Sequence, residues 1–187
     1  MSMSTRFAAS LLPFTLVTAG PLLAQPGAER LAPFVPSPQV VVERMLELAD
    51  LRPGETVYDL GCGDGRIVIT AAREFRAKGV GVELSPDLAK QAQDQVLRLG
   101  LKNRVRIIQG NLFDIDLRPA DVVTLYLLTS TNDLLRPVLE RNLRPGARVV
   151  SHDFAIRGWK PLRVEKVLSY NRYHKIYVYG IPPVKDR

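Results

Sequence analysis

Three glycines at alternate positions, Gly61, Gly63 and Gly65, separate a short apolar run from a segment with helical periodicity. Glycine lets the backbone turn tightly, and a ligand can then lie against main-chain N–H groups at the start of the following helix. Asp59 lies two positions before the first glycine, where its carboxylate would attract a cationic part of that ligand. The pattern predicts a ligand-binding loop between a strand and a helix.

Glu83 is the second chemical signal, because it lies 22 residues after Gly61 at the end of another apolar run. An acidic residue at about this spacing accepts hydrogen bonds from ribose hydroxyls, so the ligand is predicted to carry a nucleoside. The dinucleotide fingerprint requires a further glycine where this chain has Arg66, and the sequence contains no Gly-Lys-Ser/Thr phosphate loop. A nucleotide-dependent oxidoreductase remains an alternative from a different class.

Helix and strand patterns alternate along the part of the chain that must position these residues. Ser37 and Pro38 are expected to open the first helix as its N-cap and first helical residue. Periodicity predicts helices at 37–50, 67–76, 86–99 and 132–142, and strands at 56–60, 79–84, 105–109, 121–128 and 148–154. Two β-rich runs, at 162–169 and 173–181, predict a terminal hairpin. The fold class is therefore α/β, a mostly parallel sheet with helices on both faces and a C-terminal antiparallel hairpin.

The composition excludes several other classes of protein. The 187 residues are 46% hydrophobic and 24% charged, which is typical of one globular domain rather than a disordered or coiled-coil chain. The single cysteine, Cys62, excludes a disulfide framework. With His152 and His174 it also lacks the paired spacing of structural zinc sites, so no metal is predicted. The net charge of +7 comes from dispersed Lys and Arg without an aromatic platform, so nucleic acid is not the expected partner.

The N-terminal segment is expected to lie outside the folded domain. Arg6 is the only charged residue before Glu29, and the stretch 7–24 between them is apolar and ends on a small residue. This pattern predicts either a cleaved secretory signal or an uncleaved membrane anchor at 1–24. Residues 25–36 are expected to form a linker or extended arm, and 37–187 the domain. The protein would be exported or membrane-anchored, or cytoplasmic if the segment does not translocate the domain.

Several segments resemble a known enzyme class. YDLGCGDGR, at 58–66, resembles the first motif of class I S-adenosylmethionine-dependent methyltransferases, and GVELSP, at 81–86, resembles their second-strand motif. PFVPSPQVVVERML, LFDIDL, VVTLYLL and RVVSHDF followed by GWKP are similar to one family within that class. That family is the lysine methyltransferases whose mitochondrial members modify the adenine nucleotide translocase and the c-subunit of ATP synthase. The resemblance covers about 37–154.

The resemblance implies a seven-stranded Rossmann-like fold with S-adenosyl-L-methionine as cofactor. Glu83 would bind the ribose hydroxyls, and Asn111 and Leu112 would flank the adenine. Asn111 stands where the class commonly has Asp, and Phe34 stands where the mitochondrial relatives have Tyr. The amino-acid end of the cofactor would be held by Asp59, Gly61, Cys62, Gly63 and Gly65, with Cys62 as a small filler of the loop.

Three residues are candidates for the methyl-acceptor side of the site. His152 and Asp153 close the fifth predicted strand at the edge where ligands bind, and Tyr126 belongs to the fourth. A lysine amine must be neutral to attack, so a nearby polar group or base is useful. The alternatives are that His152 and Asp153 only satisfy a loop and that Tyr126 fills the core. His174 is expected to be structural.

The predicted function is methyl transfer from S-adenosylmethionine, with a protein lysine as the acceptor that the resemblance implies. That acceptor could be a membrane protein, with residues 7–24 associating the enzyme with the same membrane. The Asn/Asp-Pro-Pro-aromatic turn of methyltransferases acting on adenine or glutamine is replaced by Leu-Leu-Thr-Ser at 127–130, which disfavours those acceptors. Two further functions stay open, a small-molecule methyltransferase and a non-catalytic module that binds S-adenosylmethionine.

Overall fold

A computed structural model describes residues 34–186, in which seven strands form one sheet with the order β3-β2-β1-β4-β5-β7-β6. The elements are α1 (Gln39–Leu48), β1 (Thr56–Leu60), α2 (Arg66–Glu74), β2 (Lys78–Glu83), α3 (Pro86–Arg98), β3 (Val105–Gln109), β4 (Val122–Leu125), α4 (Thr129–Asn142), β5 (Arg148–His152), β6 (Arg163–Ser169) and β7 (Arg172–Gly180). Strands β1 to β5 are parallel, β7 is antiparallel to β5, and β6 is antiparallel to β7. The predicted α/β class and terminal hairpin are confirmed.

Each face of the sheet is covered because successive strand residues point to opposite sides. On one face, Val57 and Val150 pack with Val41 and Met45 of α1 and with Ile67 of α2. The opposite face packs against α4 and the segment after β5, in a core that includes Leu60, Leu125, Leu135, Leu139 and Trp159. The sheet order reverses between β1 and β4, and in such sheets this switch point opens a crevice at the carboxyl ends of the strands.

Some predicted boundaries were wrong for local reasons. Pro38 is extended (φ −57°, ψ 144°) and stands at the N-cap of α1, and Ser37 does not cap the helix. Strand β4 ends at Leu125 instead of continuing to 128, so Tyr126 lies in the loop that follows it. Helix α4 begins at Thr129, three residues earlier than predicted. Strand β5 ends at His152 because Asp153 has a positive φ of 60°, a conformation that leaves the sheet.

The N-terminal expectations concern residues outside the described range. The signal or anchor at 1–24 and most of the arm at 25–36 lie outside residues 34–186. None of the helices within the described range is long and apolar enough to cross a membrane.

Candidate active site

A cleft of about 530 Å³ opens where β1, β2 and β4 end. Its walls come from the glycine loop after β1, the turn after β2 and the residues that follow β4. The segment 34–37, which precedes α1, closes a further side. A volume of this size fits a small-molecule ligand, and its position is that of ligand sites in open α/β sheets.

The glycine loop is fixed to the neighbouring strand by its own backbone. The N–H groups of Gly61 and Cys62 both donate to the carbonyl of Val82, at 2.8 and 2.9 Å. Gly63 has a positive φ of 54° and lies against the ring of Phe34, so that a Cβ there would be 2.2 Å from the ring carbon Cε2. Glycine adopts this backbone conformation without strain, and any side chain at this position would require the Phe34 ring to move.

Glu83 links the end of β2 to the glycine loop. Its Oε2 accepts a hydrogen bond from the N–H of Gly63 at 2.9 Å, and its Oε1 accepts one from the N–H of Ser85 at 2.8 Å. These two bonds orient the carboxylate, which lines the cleft. Because each carboxylate oxygen has a second lone pair, Glu83 can also accept hydrogen bonds from hydroxyl groups of a ligand.

Asp59 is a buried acid in the floor of the cleft. Its side chain accepts a hydrogen bond from Oγ1 of Thr124 at 2.7 Å. Burial, with the nearby charges of Asp64 and Glu83, raises the pKa of Asp59 to about 7, although the Thr124 hydrogen bond acts in the opposite direction. A cation in the cleft would favour the ionised carboxylate.

The cleft is acidic although the chain is basic. Among the described residues that line it, four are Asp or Glu, and Arg66 is the only Lys or Arg. Arg66 is already paired, because its Nη2 lies 2.5 Å from Oδ2 of Asp64. Its Nη1 donates to the carbonyl of Ser37 at 2.8 Å, which ties the segment before α1 to the glycine loop. The charge left over is negative, so the cleft favours a cationic ligand.

A cluster of polar side chains lies behind one wall of this cleft. The ring of Tyr126 stacks on the imidazole of His152, with centroids 3.8 Å apart. His152 is fully buried, with Nδ1 2.9 Å from Oγ of Ser37 and Nε2 2.9 Å from Nδ1 of His174. Burial lowers the pKa of His152 to about 4, although the charge of Asp153 acts in the opposite direction. The imidazole is therefore neutral near pH 7.

Asp153 closes this cluster toward solvent. Its Oδ1 accepts a hydrogen bond from the N–H of Lys175 at 2.8 Å, and its Oδ2 lies 2.5 Å from Nη2 of Arg172 and 3.5 Å from the hydroxyl of Tyr126. Burial opposes ionisation, but the Lys175 hydrogen bond and the nearby positive charge hold the pKa of Asp153 below its usual value. The side chain therefore carries a negative charge beside Tyr126.

Residues 59–163, more than half of the chain, match a family model described as the ANTKMT methyltransferase domain. The chain belongs to this family. The predicted relationship is thereby confirmed, and the protein is a methyltransferase with the class I fold.

Individual relatives agree with this assignment. A protein of Saccharolobus islandicus named protein-lysine N-methyltransferase is 49% identical over 150 residues, which are 80% of this chain and 93% of that one. The mouse adenine nucleotide translocase lysine N-methyltransferase is 37% identical, over 76% of this chain and 64% of its own. A solved structure described as an RNA methyltransferase from Salinibacter ruber in complex with S-adenosyl-L-homocysteine is 49% identical with a TM-score of 0.74, and the match covers 79% of this chain and 94% of that one.

S-adenosylmethionine is the methyl donor of this methyltransferase, as predicted. The Salinibacter structure holds S-adenosyl-L-homocysteine, the form of the cofactor without its methyl group. The donor carries a sulfonium and an ammonium, which suit the negative cleft and the buried Asp59. Glu83 is oriented to accept hydrogen bonds from its ribose, and the glycine loop leaves room for close approach.

Most of the predicted cofactor-binding residues line the cleft of the methyltransferase. They are Asp59, Gly61, Cys62, Glu83 and Leu112. Gly63 lies beneath Phe34, and Gly65 faces α3, where a Cβ would be 3.2 Å from that of Ala92. Asn111 is exposed and accepts a hydrogen bond from the N–H of Phe113 at 3.2 Å, so its contact with adenine stays a prediction.

The predicted acceptor-side residues come together, and Ser37 and His174 join them at His152, while Arg66 lines the cleft beside Asp64. Tyr126 lines the cleft, while His152 and Asp153 lie behind its ring. Sequence reasoning missed Ser37, Arg66 and His174 as site residues. The Ser-Pro motif predicts that Ser37 caps a helix. The residues next to His174 in the sequence give no sign that it contacts His152 through the pairing of β5 with β7.

Proposed function

We propose that this methyltransferase transfers the methyl group of S-adenosylmethionine to the side-chain amine of a protein lysine. The observation that carries the proposal is the position of Tyr126, which lines the cleft with its hydroxyl 3.5 Å from the carboxylate of Asp153. An aromatic face with a nearby negative charge suits a lysine side chain, which is apolar along its length and cationic at its end. The names of the Saccharolobus and mouse relatives support the same acceptor.

The bound donor supplies an electrophilic methyl group on a sulfonium, so the chain contributes mainly binding and alignment. Asp59 and Glu83 would hold the donor at its cationic and ribose ends. The hydroxyl of Tyr126 would accept a hydrogen bond from the incoming amine, and burial raises the pKa of this phenol, which keeps it protonated. The ionised Asp153 favours approach of the lysine as a cation, and the amine then loses a proton to solvent before it attacks.

An RNA acceptor is the second candidate, because the Salinibacter neighbour carries that description at the same 49% identity. The residues of this chain favour it less. Leu127, Leu128, Thr129 and Ser130 occupy the place where methyltransferases of adenine amino groups have an Asn/Asp-Pro-Pro-aromatic turn. The negative charge of the cleft would also repel a phosphate backbone that entered it.

The proposal is tested by giving the purified enzyme methyl-labelled S-adenosylmethionine together with a mixture of protein and total RNA. Protease digestion with tandem mass spectrometry identifies methyl-lysine, and nuclease digestion identifies methylated nucleosides. We expect label on lysine that is lost with Asp59→Asn and retained with Asp116→Asn, an exposed acid. Label in nucleosides alone, or no label on lysine, would overturn the proposal.

The proposal extends to a membrane-protein acceptor reached from the membrane surface. Mouse relatives are named for the adenine nucleotide translocase and for the c-subunit of ATP synthase, and the apolar run 7–24 of this chain would hold the enzyme at a membrane. The full chain is then expected in the membrane fraction of cells, and a chain without residues 1–33 in the supernatant. The same fractionation of both chains would contradict this part.

A further inference from the structure

Three potential ligand atoms converge at the carboxyl end of β5. His152 Nε2 lies 2.9 Å from His174 Nδ1, His174 Nδ1 lies 3.3 Å from Asp153 Oδ2, and His152 Nε2 lies 3.5 Å from the same oxygen. The three side chains are 0%, 7% and 9% exposed. Asp153 has a positive φ of 60°, and its carboxylate lies beside both imidazoles.

These separations match the ligand spacing of a bound transition metal. Atoms at such distances from one another can all lie about 2.1 Å from a single point, which is the usual Zn–N and Zn–O bond length. Two imidazole nitrogens and one carboxylate oxygen are a set that binds zinc and other divalent transition metals. Three protein ligands leave a further coordination position open.

The groups that would support these ligands are also in place. When Nδ1 of His152 donates to Oγ of Ser37, at 2.9 Å, Nε2 keeps the lone pair that a metal requires. The other oxygen of Asp153 accepts the N–H of Lys175 at 2.8 Å, which fixes the orientation of the carboxylate. Ligands at most metal sites are oriented by hydrogen bonds of this kind.

We propose that His152, Asp153 and His174 form a binding site for one divalent transition-metal ion of the Zn²⁺ class, behind the ring of Tyr126. The sequence expectation of no metal rested on spacing along the chain. The pairing of β5 with β7, which places His152 opposite Ile176, removes that objection because it brings His174 to the end of β5. A bound ion would fix the imidazole on which Tyr126 stacks, and it would use the same Asp153 oxygen that lies beside the Tyr126 hydroxyl.

Arg172 competes with the metal for Asp153. Its guanidinium lies 2.5 Å from the same Oδ2, and its side chain is 60% exposed, so it can move into solvent when an ion takes its place. Removing this positive charge leaves the carboxylate free for the metal. We therefore expect Arg172→Gln to bind the metal several-fold more tightly than the wild type.

The test is titration of the chelator-treated, dialysed full chain with Zn²⁺ by calorimetry, and with Co²⁺ followed by visible absorption. We expect one ion per chain with micromolar or tighter affinity, and a Co²⁺ spectrum without a thiolate charge-transfer band, since Cys62 is not a ligand. His174→Ala and Asp153→Asn are each expected to weaken binding by at least about tenfold. Asp116→Asn, at an exposed acid paired with Arg118, is the matched control and should bind as the wild type does.

The wild-type titration keeps the proposal falsifiable even if a variant fails to fold. No binding of Zn²⁺ or Co²⁺ by the folded wild type would overturn it. So would binding whose affinity is unchanged in both folded ligand variants. The assay measures metal affinity rather than methyl transfer, so its failure leaves the proposed lysine acceptor untouched.

Discussion

The ring of Tyr126 stacks on the imidazole of His152, with centroids 3.8 Å apart and an interplanar angle of 27°. One ring lines the cleft and the other is fully buried, so this contact joins the donor cleft to the polar cluster behind it. In the proposed mechanism Tyr126 has two separable roles. Its ring forms part of the cleft wall, and its hydroxyl, beside Asp153, would meet the acceptor amine.

Substitutions of Tyr126 separate these two roles. Tyr126→Phe keeps the stack and removes the hydroxyl, so we expect kcat to fall by about tenfold or more while affinity for S-adenosylmethionine changes little. Tyr126→Ala also removes the stack and should lower the melting temperature. Steady-state kinetics and thermal unfolding measure both effects. Tyr173→Phe, at an exposed tyrosine of β7, is the control and should behave as the wild type. An unchanged kcat in Tyr126→Phe would show that the hydroxyl does not contribute to methyl transfer.

Asp59 makes the stability of the donor-free protein depend on pH. Its folded pKa of about 7 lies above its ordinary value of 3.8, because burial and the charges of Asp64 and Glu83 disfavour the carboxylate despite the Thr124 hydrogen bond. A raised folded pKa contributes stability that is fully present below pH 3.8 and is lost as pH rises through about 7. Asp59→Asn should therefore be more stable than the wild type at pH 8, by on the order of 2 to 4 kcal/mol.

Urea unfolding of both proteins between pH 5 and pH 8 measures this difference. The same substitution should lower donor affinity even though it raises stability, because the cationic donor would bind the ionised carboxylate of Asp59. Donor affinity should rise with pH up to about 7 in the wild type and stay flat through that range in Asp59→Asn. Parallel pH profiles for the two proteins would mean that Asp59 does not titrate in this range.

Phe34 covers Gly63, and the contact between them can be measured as a coupling energy. Gly63→Ala places a Cβ 2.2 Å from the Phe34 ring at a residue with φ of 54°, so it should weaken donor binding strongly. In the double variant Phe34→Ala/Gly63→Ala, the clash between the new Cβ and the ring is removed. Only the strain of the positive φ at residue 63, about 1 kcal/mol, remains. We expect the double variant to lose less affinity than the sum of the single variants.

The conservative change at this position is Phe34→Tyr, which keeps an aromatic ring over Gly63. It keeps the packing on Gly63, and donor affinity should stay within about twofold of the wild type. Strict additivity of the two alanine substitutions would show that Phe34 and Gly63 are not in contact in the donor-bound enzyme.

The sequence was informative where the signal is local. A strand, the glycine loop and Glu83 follow one another within one β/α/β unit, so spacing alone predicted their meeting at the end of β2. The polar cluster could not be predicted in the same way. Ser37 and His152 are 115 residues apart, and His174 reaches His152 only through the antiparallel register of β5 and β7. A lone histidine carries no periodicity that would indicate its partner.

Boundary errors had a similar origin. The apolar run after β4 continues to Leu128, so periodicity extends the strand and places Tyr126 inside it. The chain instead leaves the sheet after Leu125, which is what allows Tyr126 to line the cleft. The sequence shows Arg66 only as the residue that replaces a glycine of the dinucleotide fingerprint. Its hydrogen bond to the Ser37 carbonyl could not be predicted, because it depends on how α1 packs beside the glycine loop.

The acidic cleft is expected to bind S-adenosylmethionine through Glu83 and the glycine loop to which Glu83 is hydrogen-bonded. Calorimetric titration of the full chain with S-adenosylmethionine tests it most directly, beside Glu83→Ala and Glu74→Gln, an exposed acid on α2. We expect one donor per chain, an affinity lowered by about tenfold or more in Glu83→Ala, and an unchanged affinity in Glu74→Gln. Absence of binding by the folded wild type, or equal affinity in Glu83→Ala, would contradict it.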